Sequence, residues 1–317
     1  MKIRPKMDAN TQILDLSVGE QYRDKFKDID WLLNELVVYG ADLIPRLATE
    51  PKQRRRPFDV VDLVLIGLLR HLLAMIDAVR VLLREGAAYG ATPSVRSLTE
   101  GAINLSWILK ADTENRARAY YVANLRLRRH AALRTIPGTP EYNELLASLN
   151  AIAPEEDHVA TLSRIEDAAR GELKQINSKI AQVADLAAMD AAFKKARKSA
   201  TFDPNWHKVA GARSIREMAI EVGRLDEYEN YYSPSSRTIH GASQDANVRI
   251  IDGGVAVTNI RDPSQIVQTV RMTVTVTRRA YRELLGHYRP EEVDRFTQKY
   301  KDEWREVFLP LLNAPLE

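Results

Sequence analysis

From Val60 to Leu83 the chain is almost continuously apolar, yet it carries Asp62, Arg70, His71, Asp77 and Arg80. A run of this length exceeds an ordinary strand, and so many ionisable side chains are too costly for the middle of a bilayer. The stretch is therefore read as a long helix buried in a bundle. A buried helix must be covered by other elements with apolar stripes of their own, so the rest of the chain is searched for helical partners.

Such partners follow at regular intervals. Phe26, Ile29, Leu33, Leu36 and Val37 give residues 18–48 a helical period, with Pro45 expected to bend or end that helix. Thr49 to Arg56 is a polar, basic connection, and Gly86 and Gly90 mark the end of the apolar helix. Thr92-Pro93 supplies a cap and a first-turn proline for the next helix, and Asp112-Thr113 caps a further one that stops at Pro137-Gly138. From Pro140 to Lys198 the chain is rich in Ala, Glu, Lys and Leu, and Leu173, Ile176, Ile180 and Val183 step by three and four. That arm is either a coiled-coil surface for homo-oligomerisation or a helical hairpin packed on its own bundle. Asp252-Gly253-Gly254, between two β-branched stretches, gives a hairpin signal. Met272, Val274 and Val276 alternate with threonines as a strand would, whereas Ile266, Val270, Val274, Tyr281 and Leu285 keep helical spacing; the capping pattern at Asp262-Pro263 favours helix. Pro290 opens a final helix whose buried face is Val293, Phe296, Tyr300, Trp304 and Phe308.

The fold expected is all-α, a multi-helix bundle with one small β-hairpin insertion near the C-terminus. Its parts are a loosely packed tail over 1–17, an N-terminal bundle over 18–136, the arm over 137–200, and C-terminal helices with the hairpin over 201–317. In one continuous domain, the last part packs back on the N-terminal bundle.

The chain of 317 residues contains no cysteine, which removes disulfides, thiolate metal sites and cysteine nucleophiles and fits a reducing, cytoplasmic setting. Its basic start runs into Asp8, Asn10 and Gln12 rather than an apolar segment, unlike a signal peptide. A net charge of +3 is well short of a dedicated DNA-binding footprint. No two histidines stand four apart, so neither a metal nor any other cofactor is expected, and no membrane partner.

One constellation could carry chemistry. Arg96, Glu100 and Asn104 are four residues apart and fall on nearly one face of a helix that is apolar elsewhere. Far downstream an aromatic-rich helix carries Tyr232, Ser233, Arg237 and His240, and Pro234 should kink it. If the two helices pack together, Arg96 binds a phosphate or carboxylate, with Asn104, Tyr232, Ser233 and Arg237 lining the site. Glu100 then orients or accepts a proton, and His240, at a helix end, serves as acid or base. The alternative is a structural polar network in which Glu100 neutralises a partly buried Arg96 and His240 satisfies a core acceptor.

Two segments, Arg96-Ser97-Leu98-Thr99-Glu100 through Asn104 and Tyr231-Tyr232-Ser233 through His240-Gly241, resemble a prokaryotic helical family of unknown function. That family is similar in architecture to the HEPN superfamily of helical nucleotide-binding and ribonuclease domains, many of which serve phage defence or toxin systems. The resemblance implies an RNA- or nucleotide-directed effector, with metal-independent ribonuclease or phosphate-ester chemistry. The superfamily's hallmark is an arginine, four to six residues, then a histidine. Arg237 and His240 enclose two residues and Arg126 and His130 three, while Arg282 and His287 enclose four, with Glu283 following the arginine. The competing reading is a non-catalytic helical interaction module that oligomerises through the 140–198 arm.

Overall fold

A computed structural model describes residues 13–15, 17–49, 59–197, 203–239, 248–251 and 254–313. The helices are α1 (Val18–Gln21), α2 (Arg23–Thr49), α3 (Val60–Arg84), α4 (Ala88–Lys110), α5 (Thr113–Leu133), α6 (Pro140–Ile152), α7 (His158–Gln182) and α8 (Ala184–Ala196). They continue with α9 (Trp206–Val209), α10 (Ile215–Glu221), α11 (Leu225–Glu227), α12 (Ser233–Ile239), α13 (Ile266–Tyr288), α14 (Val293–Lys299) and α15 (Arg305–Asn313). The chain divides into two compact units, one of residues 1–111 with 215–317 and one of residues 112–214.

The first unit is built on α2, α3, α4 and α13, and α3 solves the problem its charges pose. Asp62 is fully buried but closes a capping box: Asp59 accepts from Val61 and Asp62 backbone N–H, and Asp62 accepts from Asp59 N–H at 3.0 Å. Its other carboxylate oxygen takes the Tyr288 hydroxyl at 2.9 Å. Arg80 is held by a two-pronged pair to Asp30 at 2.8 and 3.1 Å, and His71 reaches Ser97 Oγ at 3.1 Å. Among the described residues no helix is long and apolar enough to cross a membrane.

Close approach of the core helices rests on two glycines. A Cβ on Gly101 of α4 would stand 3.0 Å from Leu72 Cδ2 and 3.1 Å from His71 Cδ2 of α3. One on Gly40 of α2 would collide with the Tyr281 hydroxyl and with Leu73. Tyr281, fully buried, passes over Gly40 to donate to the Leu36 carbonyl at 2.7 Å. Around it Tyr39, Phe296 and Trp304 form an aromatic cluster that ties the C-terminal helices to α2.

Several boundaries differ from those expected. Pro45 does not end α2, because Ala41 and Pro45 lie on the exposed face, where water can take the freed carbonyl. Helix α4 begins at Ala88 rather than at a Thr92 cap, with Pro93 inside it. The β-branched run of α13 is helical; Thr269 and Thr273 return their hydroxyls to carbonyls four residues back at 2.9 and 2.8 Å. The kink expected at Pro234 is a π-helical turn over Tyr228–Tyr232, in which Ser233 N–H donates to Tyr228 O, five residues back.

The expected β-hairpin insertion is corrected, and the fold class is all-α. Among the described residues, Val248–Ile251 and Gly254–Val257 pair only with each other, in a ladder from Val248↔Val257 to Ile251↔Gly254. Val248 is 46% and Ile250 82% exposed, so these two apolar side chains stay in solvent, and among the described residues the short ribbon joins no larger sheet. The turn residues Asp252 and Gly253, like most of the 1–17 tail and all of the 49–56 connection but Thr49, lie outside the described residues.

The second unit takes in α5 to α9. Residues 140–196 form three helices, α6 to α8, separated by residues 153–157 and by an extended Val183, and Ile176 and Ile180 of the apolar seam pack on Leu125 and Tyr121 of α5. Arg126, 5% exposed, is clasped by Asp190 and by both oxygens of Asp203 at 2.7 Å, over the Phe193 ring.

Candidate functional site

Helix α4 is wholly buried from Gly101 to Ile108, and its polar stripe emerges toward the N-terminal half, where Arg96 and Glu100 are about one-third exposed. The π-turn brings Tyr232 against them. Arg96 Nη2 donates to the Tyr232 hydroxyl at 3.0 Å, and its guanidinium carbon lies 4.8 Å from the centre of the same ring. Tyr228 stacks behind Tyr232 at 5.1 Å. Glu100 sits 3.9 Å from the guanidinium, at the outer edge of an ion pair. Burial raises the Tyr232 hydroxyl pKa above its usual value, the negative charge of Glu100 adds to that, and Arg96 opposes it.

Two buried polar atoms here have no hydrogen-bond partner among the described residues: Arg96 Nε and Asn104 Oδ1. One is a donor and the other an acceptor, both on the stripe of α4. Ser233 is half-buried at the junction of the π-turn and α12, and Arg237 lies on α12. His240 lies outside the described residues. Of the expected site, the structure thus brings together Arg96, Glu100 and Tyr232.

A second polar centre in the same unit went unread in the sequence. Arg224, fully buried, donates Nε to Ser106 Oγ at 2.7 Å, a second N–H to Glu227, and a third to Glu283 at 3.1 Å. Ser106 also hydrogen-bonds Glu283. Arg279 extends the network, donating to the carbonyls of Val222 at 2.6 Å and Gly223 at 2.8 Å and to Glu283 at 3.2 Å. Burial raises the pKa of Glu227 above the usual carboxylate value, against the pull of Arg224. The legible hints were Ser106 inside an apolar stretch of α4 and the i,i+4 pair Arg279–Glu283; the link to Arg224 is made only by folding. A cavity of about 420 Å³ opens beside the network, reaching Ser106, Lys110, Glu283 and His287.

Arg282 and His287, the pair with the HEPN-like spacing, do not converge. Five residues on one helix set them about 140° apart. Arg282 lines a different cleft, with Arg278 and Tyr300. Among the described residues no three acidic or histidine side chains gather as a metal set would.

A model of a family of unknown function, DUF5677, matches residues 62–254, well over half of the chain. The chain belongs to that family. No curated protein and no solved structure matches it. The DUF5677 span contains α4, Arg224, Glu227 and the π-turn, and stops before α13, so the Arg279 and Glu283 side of the network lies beyond it.

Proposed function

We propose that the α4 and π-turn face is a binding site for a phosphate ester, RNA or a nucleotide, serving an effector of defence or toxin type. In this reading Arg96 takes the phosphate, Asn104, Tyr232, Ser233 and Arg237 position the ligand, Glu100 orients or accepts a proton, and His240 is the acid or base. The observation that carries it is the state of Arg96: its guanidinium is braced by the Tyr232 ring, its carboxylate partner is at 3.9 Å, and Nε is unbonded among the described residues. A guanidinium held in place yet incompletely paired is prepared to take two oxygens of a phosphate. The test compares wild type with Arg96→Ala, Glu100→Ala and His240→Ala in RNA-cleavage and phosphate-ester hydrolysis assays, with melting temperature measured in parallel. Folded variants that lose a wild-type activity support the site. Full activity in all of them, or wild type inactive on every substrate, refutes it.

A second reading, a non-catalytic module that forms homo-oligomers through the 140–198 arm, is favoured by Ile152, Val159 and Ile165, which are 82%, 53% and 49% exposed. Light scattering of wild type against Val159→Lys/Ile165→Lys tests it. A strictly monomeric wild type removes this reading.

A further inference from the structure

A cleft of about 360 Å³ in the first unit lies between Asp226–Glu227, α13 and α14. Three arginines line it, and they differ in how they are engaged. Arg279 is committed to the carbonyls of Val222 and Gly223 and to Glu283. Arg278 and Arg282 make no ion pair among the described residues. The Arg278 guanidinium carbon lies over the Tyr300 ring, 4.2 Å from its centroid, a contact that holds the fork in place while it makes no ion pair among the described residues. Arg282 is one turn further along the same face of α13, about 6 Å along the axis.

Two like charges at this spacing weaken a helix, and neither is neutralised by the cleft. Glu227, on the cleft wall, is already paired with Arg224 and Arg279. Asp226 stands exposed at the rim and makes no ion pair with either arginine. The cleft therefore presents two uncommitted guanidinium groups to a volume large enough for a small ligand.

We propose that this cleft binds a phosphate group, free or carried as the monoester of a nucleotide, between Arg278 and Arg282. The site is separate from Arg96 and does not rest on the function proposed above. Asp226 opposes a bare anion, so the acid at the rim tunes the site rather than building it.

The experiment is calorimetric titration of the full chain at low ionic strength with inorganic phosphate and, separately, with adenosine monophosphate. Both the exposed Arg282→Ala and Arg278→Ala variants should weaken binding about tenfold or more, as loss of a charge-assisted hydrogen bond does. Asp226→Asn should strengthen it. Monophosphate binding tighter than phosphate identifies a nucleotide site, and equal affinities identify a bare phosphate site. No binding of either probe to wild type, or an undiminished affinity in folded Arg282→Ala, overturns the assignment.

Discussion

Truncating Arg224 to alanine tests whether the buried network holds the first unit together. The side chain is fully buried and donates to Ser106, Glu227 and Glu283. Its removal leaves the Glu227 carboxylate, 1% exposed, with Arg279 at 3.5 Å as the remaining cation among its described partners. Breaking a buried pair from one side costs about 3–5 kcal/mol, because the surviving charge stays desolvated without compensation. Set against a total stability of about 5–15 kcal/mol for a domain, that is a large fraction. Trp31, Trp107 and Trp304 all belong to this unit, so tryptophan fluorescence during urea unfolding reports mainly on it. With a slope of about 2 kcal/mol per molar urea, the midpoint should fall by about 2 M. The double variant Arg224→Met/Glu227→Met should recover much of the loss, since the penalty lies in the orphaned charge rather than in lost attraction. A midpoint within about 0.5 M of wild type for Arg224→Ala, or a double variant less stable than the single one, refutes this account.

Gly40→Ala should lower stability by about 1–3 kcal/mol through collision with Tyr281 and Leu73, and the companion Gly40→Ala/Tyr281→Phe should recover part of it, both read as melting temperatures. Glu227 has a raised folded pKa, caused first by burial, so its contribution is present below the usual carboxylate pKa and lost as pH rises through the folded value. Stability of Glu227→Gln measured from pH 4 upward should lack that decline; an unchanged slope would count against it. Asp190 and Asp203 behave oppositely. Burial works to raise both, but hydrogen bonds from Lys194 and Arg126 to Asp190, and from Arg126 to Asp203, hold them below the usual value. Their stabilisation is present above the unfolded carboxylate pKa and lost as pH falls through the folded one, so carboxyl chemical shifts should titrate below those of exposed aspartates.

The helical character of this chain is local information. Apolar spacing in 60–84, the Asp59–Asp62 cap before it and the threonine-rich α13 all follow from backbone geometry within a few residues, and so does the Arg96–Glu100 stripe. The hairpin signal over-reached for the same reason that it was legible: Asp252-Gly253-Gly254 reports a tight turn, but whether a ribbon becomes part of a fold depends on a face to bury, and Ile250 is 82% exposed. What only tertiary structure decided is who meets whom. Arg96 finds Tyr232 across 136 residues, and Arg224 finds Ser106 across 118 and Glu283 across 59. Those meetings depend on how closely α4 can approach its neighbours, which Gly101 permits on the α3 side, and on a π-turn that rotates Tyr232 toward α4. Periodicity says which face of a helix is polar; only the packed core says which distant polar group that face must answer.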